Sequence, residues 1–417
     1  MDVRKYLERP IPNIQLTTSN IQLTKPSAFP LFKREINPAK SKSYFLFGPR
    51  QTGKSTFVKS LISRKDLYID LLPQRKFLNY AKNPGRLREE ILAHLRQYDD
   101  PLCIVDEIQK IPALLDEVHE LIESRGIRFV LTGSSARKLR RGGANLLAGR
   151  AYTYHLFPLT STEIGDGFDL SRAIKFGSLP VLWGSREEDA HEFLRSYTET
   201  YLKEEVAAEG LVRNIGPFAK FLDIAAANDG ETVNFSNIAR ECSVSVKTVQ
   251  QYFQILEDTF LAFRVPAWTR SERRRLVSHP RYYFFDTGVT NALAHTLMDQ
   301  LNPKVFGRRF EQFVICQLMA CIHYKRLDRQ LYYWQTNHGA EVDLLLCEGS
   351  RIVCALEIKS SQNIAGEQLG GLKSFILDNP GIPAYVLGDR QNRRRLHDDI
   401  TVINWDEFIL EELELCI

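Results

Sequence analysis

A glycine-rich segment at residues 48–55 constrains the fold of this chain more than any other part of the sequence. The segment, Gly-Pro-Arg-Gln-Thr-Gly-Lys-Ser, fits the pattern G-x-x-x-x-G-K-S/T and joins the apolar run Ser43–Phe47 to a stretch of helical period. Glycines allow backbone N–H groups to wrap around phosphates, and the amino end of the following helix adds a favourable dipole. Strand, loop and helix in this order predict a phosphate-binding loop on a parallel sheet.

We expect this loop to bind the phosphates of ATP together with Mg²⁺. Lys54 can reach the β- and γ-phosphates, and the Ser55 hydroxyl can ligate the metal ion. The alternative is a chance glycine-rich turn, which the strand-loop-helix context disfavours. The residues predicted to contact the nucleotide are Gly48, Pro49, Arg50, Gln51, Thr52, Gly53, Lys54, Ser55, Thr56 and Asp106.

A second apolar run, residues 102–105, ends in the adjacent carboxylates Asp106 and Glu107. Asp106 is expected to hold the Mg²⁺ shell, and Glu107 is expected to polarise the attacking water. The second carboxylate favours ATP hydrolysis over the chemistry of a Ras-like GTPase. Alone, the pair could be a strand end followed by a helix cap, but the preceding glycine-rich loop favours a hydrolase site.

A third apolar run, residues 129–131, ends in the small polar residues Thr-Gly-Ser-Ser. Its hydroxyls can lie near the γ-phosphate, although an ordinary strand-to-turn cluster is the alternative. An arginine that contacts the γ-phosphate can accelerate hydrolysis ~10³–10⁵-fold. Arg150 is predicted to be such a catalytic arginine, and most of the others are read as solvated or DNA-facing charges. The candidates are Arg137, Arg140, Arg141 and Arg150.

These segments resemble prokaryotic ATPases of the AAA+ class whose C-terminal half carries a domain of unknown function. The motifs that carry the resemblance are the glycine-rich loop, Val-Asp-Glu-Ile-Gln-Lys, Leu-Thr-Gly-Ser-Ser, Ala-Gly-Arg and Phe-Pro-Leu-Thr, and the likeness covers about residues 40–417. The resemblance implies an ATP-driven homo-oligomer, of which a hexameric ring is one form, with a neighbour's arginine completing each site. The sequence departs from the commonest pattern of that class, because the third run has no Asn at its tip and no obvious lid arginine motif follows.

The spacing of apolar residues in the segment 235–256 is typical of a helix-turn-helix. Its inner face would consist of Ile238, Ala239, Val244, Val249 and Leu256, with Ser245 capping the second helix. Residues 261–268 then look like a strand of a winged version. The residues expected to contact DNA are Lys247, Thr248, Gln250, Gln251, Arg273, Arg274 and Arg275. The alternative is a unit that serves packing or protein contacts.

Two carboxylates and a lysine form a further candidate site in the C-terminal part. Glu357 and Lys359 are two apart on one predicted strand, so their side chains share a face, and Asp343 on a neighbouring strand can meet them. Carboxylates that face one point can bind Mg²⁺ or Mn²⁺, and a lysine can activate or orient water.

This set resembles the PD-(D/E)xK, or restriction-endonuclease-like, family. The resemblance implies that Asp343, Glu357 and the helix residue Glu311 hold metal and that Lys359 assists the nucleophile. Gln368 is a weaker match to an auxiliary glutamine of that family. Some domains of this family bind nucleic acid without cleaving it, so DNA cleavage and DNA binding alone are both possible functions.

The apolar pattern divides the chain into five predicted parts with an α/β core. Strands are predicted at 43–47, 67–71, 102–105 and 129–131, and helices at 54–63, 86–98 and 113–124; a long helix is predicted at 187–204. The predicted parts are an N-terminal arm (1–42), a P-loop AAA+ parallel-sheet core (43–161), a helical lid or linker (162–220), a winged helix-turn-helix (221–275) and a mixed α/β restriction-endonuclease-like domain (276–417).

Composition excludes several other classes of protein. Of 417 residues, 44% are hydrophobic and 25% charged, which is globular, and no apolar run approaches the ~18–20 residues of a membrane helix. Seven cysteines without a C-x-x-C pair predict reduced thiols in a cytoplasmic chain, and Cys316 and Cys321 are read as helix-core thiols. The net charge of +4 argues against a DNA-coating protein.

Two functions fit these patterns. The first is a DNA-processing ATPase, in which a P-loop motor acts through a winged helix and a nuclease-like domain on duplex or branched DNA. The second is a nucleotide-controlled signalling or defence switch, whose C-terminal domain is an inactive binding module. Two basic clusters, Arg273–Arg275 and Arg393–Arg395, favour the DNA-processing ATPase.

Overall fold

The computed structural model describes residues 32–137, 139, 147, 149–202, 215–269, 279–298, 302–364, 369–396 and 400–415. The predictions for most of the N-terminal arm (residues 1–31) lie outside these residues. So do those for Arg140, Arg141, Arg273, Arg274, Arg275 and Gln368.

The first part of the described chain is a parallel sheet flanked by helices. In chain order its elements are β1 (Ser43–Phe47), α1 (Lys54–Ser60), β2 (Leu67–Asp70), α2 (Gln74–Lys82), α3 (Arg86–Leu95), β3 (Leu102–Asp106), α4 (Leu114–Arg125), β4 (Arg128–Gly133) and β5 (Ala151–His155). The strand order is β2-β3-β4-β1-β5, with every neighbouring pair parallel. The predicted parallel sheet is therefore confirmed, and the four predicted strands agree with β1–β4.

The two faces of this sheet bury different apolar layers. Phe45, Phe47 and Phe129 lie on the face covered by α2, α3 and α4. Leu46 and Val130 lie on the opposite face, where α1 packs. This alternation follows from the two-residue period of a strand, and burial of both faces explains why the strands are almost continuously apolar. The order of the strands brings the carboxyl ends of β1, β4 and β3 side by side.

Helices dominate the middle of the chain, as the sequence predicts. The elements are α5 (Ser161–Ile164), α6 (Leu170–Phe176), α7 (Glu187–Ser196), a π-helical segment (Tyr197–Leu202), α8 (Ile215–Ala227), α9 (Phe235–Cys242), α10 (Val246–Asp258), β6 (Ala262–Val265), β7 (Arg281–Phe284) and α11 (Thr287–Leu293). The long helix predicted at 187–204 is α-helical only to Ser196. Ser245 caps α10 as expected, because its hydroxyl accepts from the backbone N–H of Thr248 at 3.1 Å.

Strands β6 and β7 form an antiparallel pair that crosses a predicted boundary. Ala262 lies opposite Phe284, and Val265 lies opposite Arg281. The boundary predicted at residue 275 therefore falls between two paired strands. Beyond β6 the backbone of Trp268 donates to Tyr333 at 2.6 Å, so this segment also joins the C-terminal sheet.

The C-terminal part is a mixed sheet with a long helix against it. The elements are α12 (Pro303–Tyr324), β8 (Gln330–Gln335), β9 (Glu341–Glu348), β10 (Arg351–Lys359), α13 (Gly370–Asp378), β11 (Ala384–Gly388), β12 (Arg394–Arg395), β13 (Ile400–Asn404), α14 (Trp405–Glu407), a π-helical turn (Phe408–Glu412) and α15 (Leu413–Leu415). The strand order is β12-β13-β11-β10-β9-β8. Strands β10, β11 and β13 are parallel, whereas β8, β9 and β10 form an antiparallel meander.

Helix α12 is buried on most of its surface because it packs against both large sheets. Phe313 and Leu318 belong to the core of the mixed sheet, whereas Ala320 and Tyr324 belong to the core on the α1 face of the parallel sheet. A helix that is apolar on all sides must be covered on all sides. The mixed sheet's other face is covered by α13, through Leu372 and Phe375.

We predict that Gly288→Ala destabilises the protein by about 1–3 kcal/mol or more, because a methyl group there would overlap the carbonyl oxygen of Phe176 where α11 packs on α6. Urea denaturation measures this change. Gly167→Ala is the control, since no atom lies within 4 Å of the added carbon. Equal stability of both variants would contradict the close packing of α11 on α6.

Candidate functional site

The glycine-rich loop connects β1 to α1 at the carboxyl edge of the parallel sheet. Gly53 precedes α1 with φ +91°, a left-handed conformation that favours glycine, and a side chain on Gly48 would overlap the carbonyl of Leu156. Lys54 is buried, and its ammonium donates to the carbonyls of Gly48 and Pro49, at 2.8 Å in each case. The loop is thus closed on itself, with the amino end of a helix behind it.

The predicted carboxylates lie two strands away along the same edge. Asp106 ends β3 and is buried; it accepts hydrogen bonds from the hydroxyls of Tyr68 and Thr132. Glu107 follows with φ +62°, a left-handed conformation that turns the chain sharply at the strand end. Thr132 on β4 also accepts from the backbone N–H of Glu107 at 3.0 Å. The tips of β3 and β4 are therefore tied together.

Gln109 is a site residue to which the sequence interpretation gave no role. Its side chain is buried, and its amide nitrogen donates to the Glu107 carboxylate and, at 3.1 Å, to the Ser134 hydroxyl. Ser134 also donates to Glu107 at 3.4 Å. Gln109 belongs to the motif Val-Asp-Glu-Ile-Gln-Lys, but its place inside the site follows only from the short 3₁₀ turn after Glu107. Gln109 and Ser134 together fix the direction of the Glu107 carboxylate.

Arg150 does not lie at the nucleotide site of its own chain. It directly precedes β5, and Ala151 pairs with Ser43 at the amino end of β1, whereas the loop follows Phe47 at the carboxyl end. The two ends are separated by about 13 Å of strand. Arg150 instead forms an ion pair with Glu123 of α4. This position is away from the nucleotide loop of the same chain, and the catalytic role of Arg150 stays a prediction.

Arg137 connects the tip of β4 to helix α10. Its guanidinium forms an ion pair with Asp258 at 2.7 Å, with both side chains largely buried. The backbone N–H of Ala136 donates to the carbonyl of Asp258 at 3.2 Å. Two residues beyond Asp258, Phe260 stacks on Phe47, the last residue of β1. The carboxyl end of α10 therefore lies against the strands that end at the nucleotide loop.

The C-terminal carboxylates lie together at β9, β10 and α12. Lys359 is 2.6 Å from a Glu357 carboxylate oxygen and 3.9 Å from Asp343. Asp343 accepts from the backbone N–H of Ile358 at 2.7 Å, and Glu311 accepts from the Tyr283 hydroxyl at 2.7 Å. All three carboxylates are largely or fully buried, so repulsion between them is weakly screened.

Burial, together with the charge of Asp343, raises the pKa of both Glu311 and Glu357 to about 8. Burial raises the pKa of Asp343 as well. For Lys359 burial acts in the opposite sense, but Asp343 and Glu357 outweigh it and raise the pKa of the ammonium. Lys359 and Arg281 are the cations that act on these three carboxyl groups, and a further cation is the natural way to ionise them all.

The predicted metal set is assembled only in part. Nowhere in the described ranges do three Asp, Glu, His or Cys side chains adopt an arrangement that could hold one ion. Glu311 accepts from the Tyr283 hydroxyl, and its role as a metal ligand stays a prediction. Asp343 and Glu357 remain as candidate ligands, and one buried oxygen of Glu357 has no hydrogen-bond partner among the described residues. A carboxylate pair with an unpartnered buried oxygen fits Mg²⁺ or Mn²⁺.

Two residues of β7 belong to this site although the motif does not include them. Arg281 and Tyr283 are two apart and project from one face of the strand. Arg281 pairs with Glu341 and lies 4.4 Å from the centroid of the Tyr333 ring. Both residues are visible in the sequence, but their contacts with Glu341 and Glu311 follow only from the fold.

The residues predicted to face DNA are placed as follows. Lys247, Gln250 and Gln251 are exposed on α10, and Thr248 is half-buried beside the cap. Of the basic residues near the C-terminus, Arg393 bonds to Glu407 and Glu412 at 2.8 and 2.6 Å, so its charge is compensated.

Two cysteines of the C-terminal part lie on its long helix. Cys316 and Cys321 lie within α12 as free thiols, and burial raises the pKa of Cys321 to about 11. Among the described residues, no helix is both long enough and apolar enough to cross a membrane.

Comparison with known families divides the chain in three. Residues 40–165 match the family described as AAA domain. Residues 167–300 and 306–408 match two domains of unknown function, DUF8612 and DUF4143 respectively. Together with the parallel sheet and the glycine-rich loop, the first match defines residues 40–165 as a P-loop domain of AAA type. Such a domain implies binding of a nucleotide with Mg²⁺ and points to ATPase activity.

Three relatives, each described as an uncharacterized protein, illustrate the range of similarity. An uncharacterized protein of Mycobacterium tuberculosis is 26% identical over 372 residues, which are 87% of this chain and 80% of the relative. An uncharacterized protein of Methanocaldococcus jannaschii is 23% identical over 312 residues, 68% of this chain and 69% of its own. An uncharacterized protein of Haemophilus influenzae is 24% identical over 202 residues, 45% and 50% of the two chains.

We predict that Glu107→Gln retains ATP binding but lowers the hydrolysis rate about 10²–10⁴-fold, because the amide cannot polarise the attacking water. Steady-state turnover and nucleotide affinity measure the two effects separately. The same change at the exposed Glu89 of α3 serves as the control. Unchanged turnover in Glu107→Gln would remove this residue from the catalytic role.

Proposed function

We propose that the protein is a Mg²⁺-dependent ATP hydrolase that acts on DNA. In this proposal residues 235–284 are a winged helix-turn-helix that contacts duplex or branched DNA. The C-terminal domain belongs to the restriction-endonuclease-like class, and the active form is a homo-oligomer in which Arg150 serves the ATP of a neighbouring copy. ATP hydrolysis drives translocation along DNA or remodelling of branched DNA.

One observation carries the link between ATP and DNA, namely the attachment of α10 to the nucleotide site. Asp258 at its carboxyl end bonds to Ala136 and Arg137, which follow the β4 tip directly. Lys247 and the two exposed glutamines lie near the other end. A helix of 13 residues spans about 20 Å, and a helix moves as a rod. A shift at the β4 tip would therefore displace the proposed DNA-contacting face.

The residues of the nucleotide site fit the chemistry of ATP hydrolysis. Ser55 and Asp106 would hold Mg²⁺, which neutralises charge that develops on the phosphates. Glu107 would accept a proton from the attacking water, and Gln109 and Ser134 keep its carboxylate oriented. Because Ser134 bonds to that carboxylate, β4 and Glu107 are expected to move together when ATP binds.

The carboxylate cluster supports a metal-dependent role for the C-terminal domain. Asp343 and Glu357 would hold Mg²⁺ or Mn²⁺. The positive charge of the ion would polarise the phosphodiester and stabilise a bound hydroxide. Lys359, more exposed than either carboxylate, would orient the attacking water. Glu311, hydrogen-bonded to Tyr283, would form part of the wall of this site.

The test of the DNA proposal is steady-state ATP hydrolysis with and without single-stranded, duplex and branched DNA. DNA integrity is followed in the same tubes with Mg²⁺ or Mn²⁺. We expect one form of DNA to raise turnover several-fold. A flat response, with slow turnover, retained ADP and intact DNA, would favour the nucleotide-controlled switch instead.

We predict that joint replacement of Lys247, Gln250 and Gln251 by alanine abolishes the stimulation by DNA and leaves basal turnover unchanged. The control replaces Gln74, Lys76 and Asn79 of α2, which removes one lysine and two amides from another exposed helical face. The stimulation should fall with salt concentration, because each phosphate contact releases counterions. Persistence of the stimulation in the α10 variant would contradict the proposed DNA-binding face.

We predict that Mn²⁺ binding to the carboxylate cluster tightens between pH 6 and pH 8.5 and releases protons, because the pKa of Glu311 and of Glu357 is about 8. The folded-state pKa of each exceeds the ordinary 4.5, so their neutral forms stabilise the fold at low pH. This contribution decreases as pH rises from 4.5 through about 8. Calorimetry without nucleotide, repeated in two buffers of different ionisation enthalpy, measures the released protons.

Asp343→Ala is the matched control for this titration. It should lose Mn²⁺ binding and any metal-dependent DNA cleavage, while ATP hydrolysis stays largely intact. Binding that does not depend on pH, or that persists in Asp343→Ala, would contradict the assignment of these carboxylates.

A further inference from the structure

Arg34, in the irregular segment before β1, reaches into the nucleotide loop. Its side chain is only 5% exposed, although the surrounding segment was predicted to be a lead-in arm. The guanidinium donates to the carbonyl of Thr52 at 2.7 Å and to the carbonyl of Phe157 at 2.6 Å. Thr52 is the residue before Gly53 and Lys54, so one of these bonds falls inside the phosphate-binding loop.

The bond to Thr52 fixes the direction of the peptide between Thr52 and Gly53. In a planar trans peptide the C=O and the following N–H point in opposite directions. The carbonyl turned toward Arg34 therefore leaves the N–H of Gly53 pointing away from it. A charged donor on the carbonyl also polarises the peptide and strengthens the N–H as a hydrogen-bond donor. In a loop of this type such N–H groups are the ones that bind phosphate.

Arg34 is itself held by two buried groups from distant parts of the chain. The Glu163 carboxylate accepts from it at 2.9 Å, as does the hydroxyl of Tyr324 at the end of α12. Glu163 also closes the cap of α5 with Thr160. Burial disfavours the charge of Arg34, but Tyr324 and Glu163 outweigh it and raise its pKa, so the guanidinium stays protonated.

We propose that Arg34 is a positioning residue of the nucleotide site, which orients the Gly53 N–H toward the β-phosphate and couples the loop to α12 through Tyr324. The proposal rests on ATP binding by the AAA-type domain. It makes the C-terminal helix part of the support of the ATP site. A residue 290 positions from Arg34 in the sequence thereby influences nucleotide affinity.

The β-phosphate is present in both ATP and ADP, so the role of Arg34 has a distinct kinetic signature. A contact that is equally strong before and during reaction changes affinity and leaves the chemical step unaltered. Loss of Arg34 should therefore weaken ATP and ADP alike and raise KM, with kcat nearly constant. A generally disturbed site would instead lower kcat.

The test measures ATP and ADP affinity, KM and kcat for Arg34→Met, Arg34→Lys and Tyr324→Phe in the full chain. We expect Arg34→Met to weaken both nucleotides at least about 10-fold, the change that corresponds to loss of one hydrogen bond from a charged donor. Arg34→Lys keeps the charge and should recover part of the affinity. Tyr324→Phe should weaken binding in the same sense by about 2–5-fold, because neutral hydrogen bonds contribute less.

The matched control is Arg128→Met, since Arg128 also bonds to a backbone carbonyl and a carboxylate but lies at the amino end of β4. Urea unfolding establishes that each variant is folded; if Arg34→Met is not, Arg34→Lys and Tyr324→Phe decide the question. Unchanged affinity in the folded Arg34 variants, or an equal loss in Arg128→Met, would overturn the role of Arg34 alone. Failure of the wild type to bind any nucleotide would overturn the ATP site itself.

Discussion

The burial of α12 between the two large sheets is the constraint on which the described structure depends. A helix with apolar residues on every side cannot remain exposed, so the parallel sheet and the mixed sheet must both cover it. The few polar groups that it buries must then find partners inside the protein. Gln312 donates to the carbonyl of Phe284 at 3.0 Å, and Gln317 accepts from the N–H of Ser161 at 2.9 Å. Through these bonds the middle of the chain is fixed to the same helix.

The middle of the chain contacts both candidate sites for the same reason. Helix α10 ends at the β4 tip, where Asp258 meets Arg137, and the hairpin that follows it places Tyr283 against Glu311. Helix α10 therefore contacts the strand tips beside the nucleotide loop, and the strand pair β6–β7 contacts the carboxylate cluster. If both sites function as proposed, a conformational change at one would have a short route of packed contacts to the other, because packed elements compress little.

How far the sequence predicts this structure depends on the range of the interactions involved. The loop at 48–55 and the strand followed by Asp106 and Glu107 are local patterns. The sequence therefore predicts both that they form and that they lie near each other at one edge of the sheet. Helix α2 and strand β5 were not predicted, since α2 has few apolar residues and β5 is a half-exposed edge strand whose polar tyrosines obscure the pattern. The position of Arg150 at the amino end of β5 could not be predicted, because motif spacing does not give strand direction and register.

The contacts that the sequence cannot supply are those between distant segments. Arg34 and Tyr324 are 290 residues apart, and nothing local to either predicts a shared hydrogen bond. The same holds for Tyr283 and Glu311, where only the pairing of β6 with β7 decides which face of the strand meets the carboxylates. These are buried polar groups, and each needs a partner wherever the fold happens to bring one.

The coupling between the two ends of the chain must be reciprocal. If the contact of Arg34 with Tyr324 makes nucleotide affinity depend on the position of α12, then nucleotide binding changes the free energy of moving α12 by the same amount. Glu311 lies on this helix, so under the proposed metal binding the affinity of the carboxylate cluster for a cation would be linked to the occupancy of the nucleotide loop. A C-terminal domain whose metal site responds to nucleotide does not need a separate signalling element. In that proposal the buried helix α12 would itself be the connection.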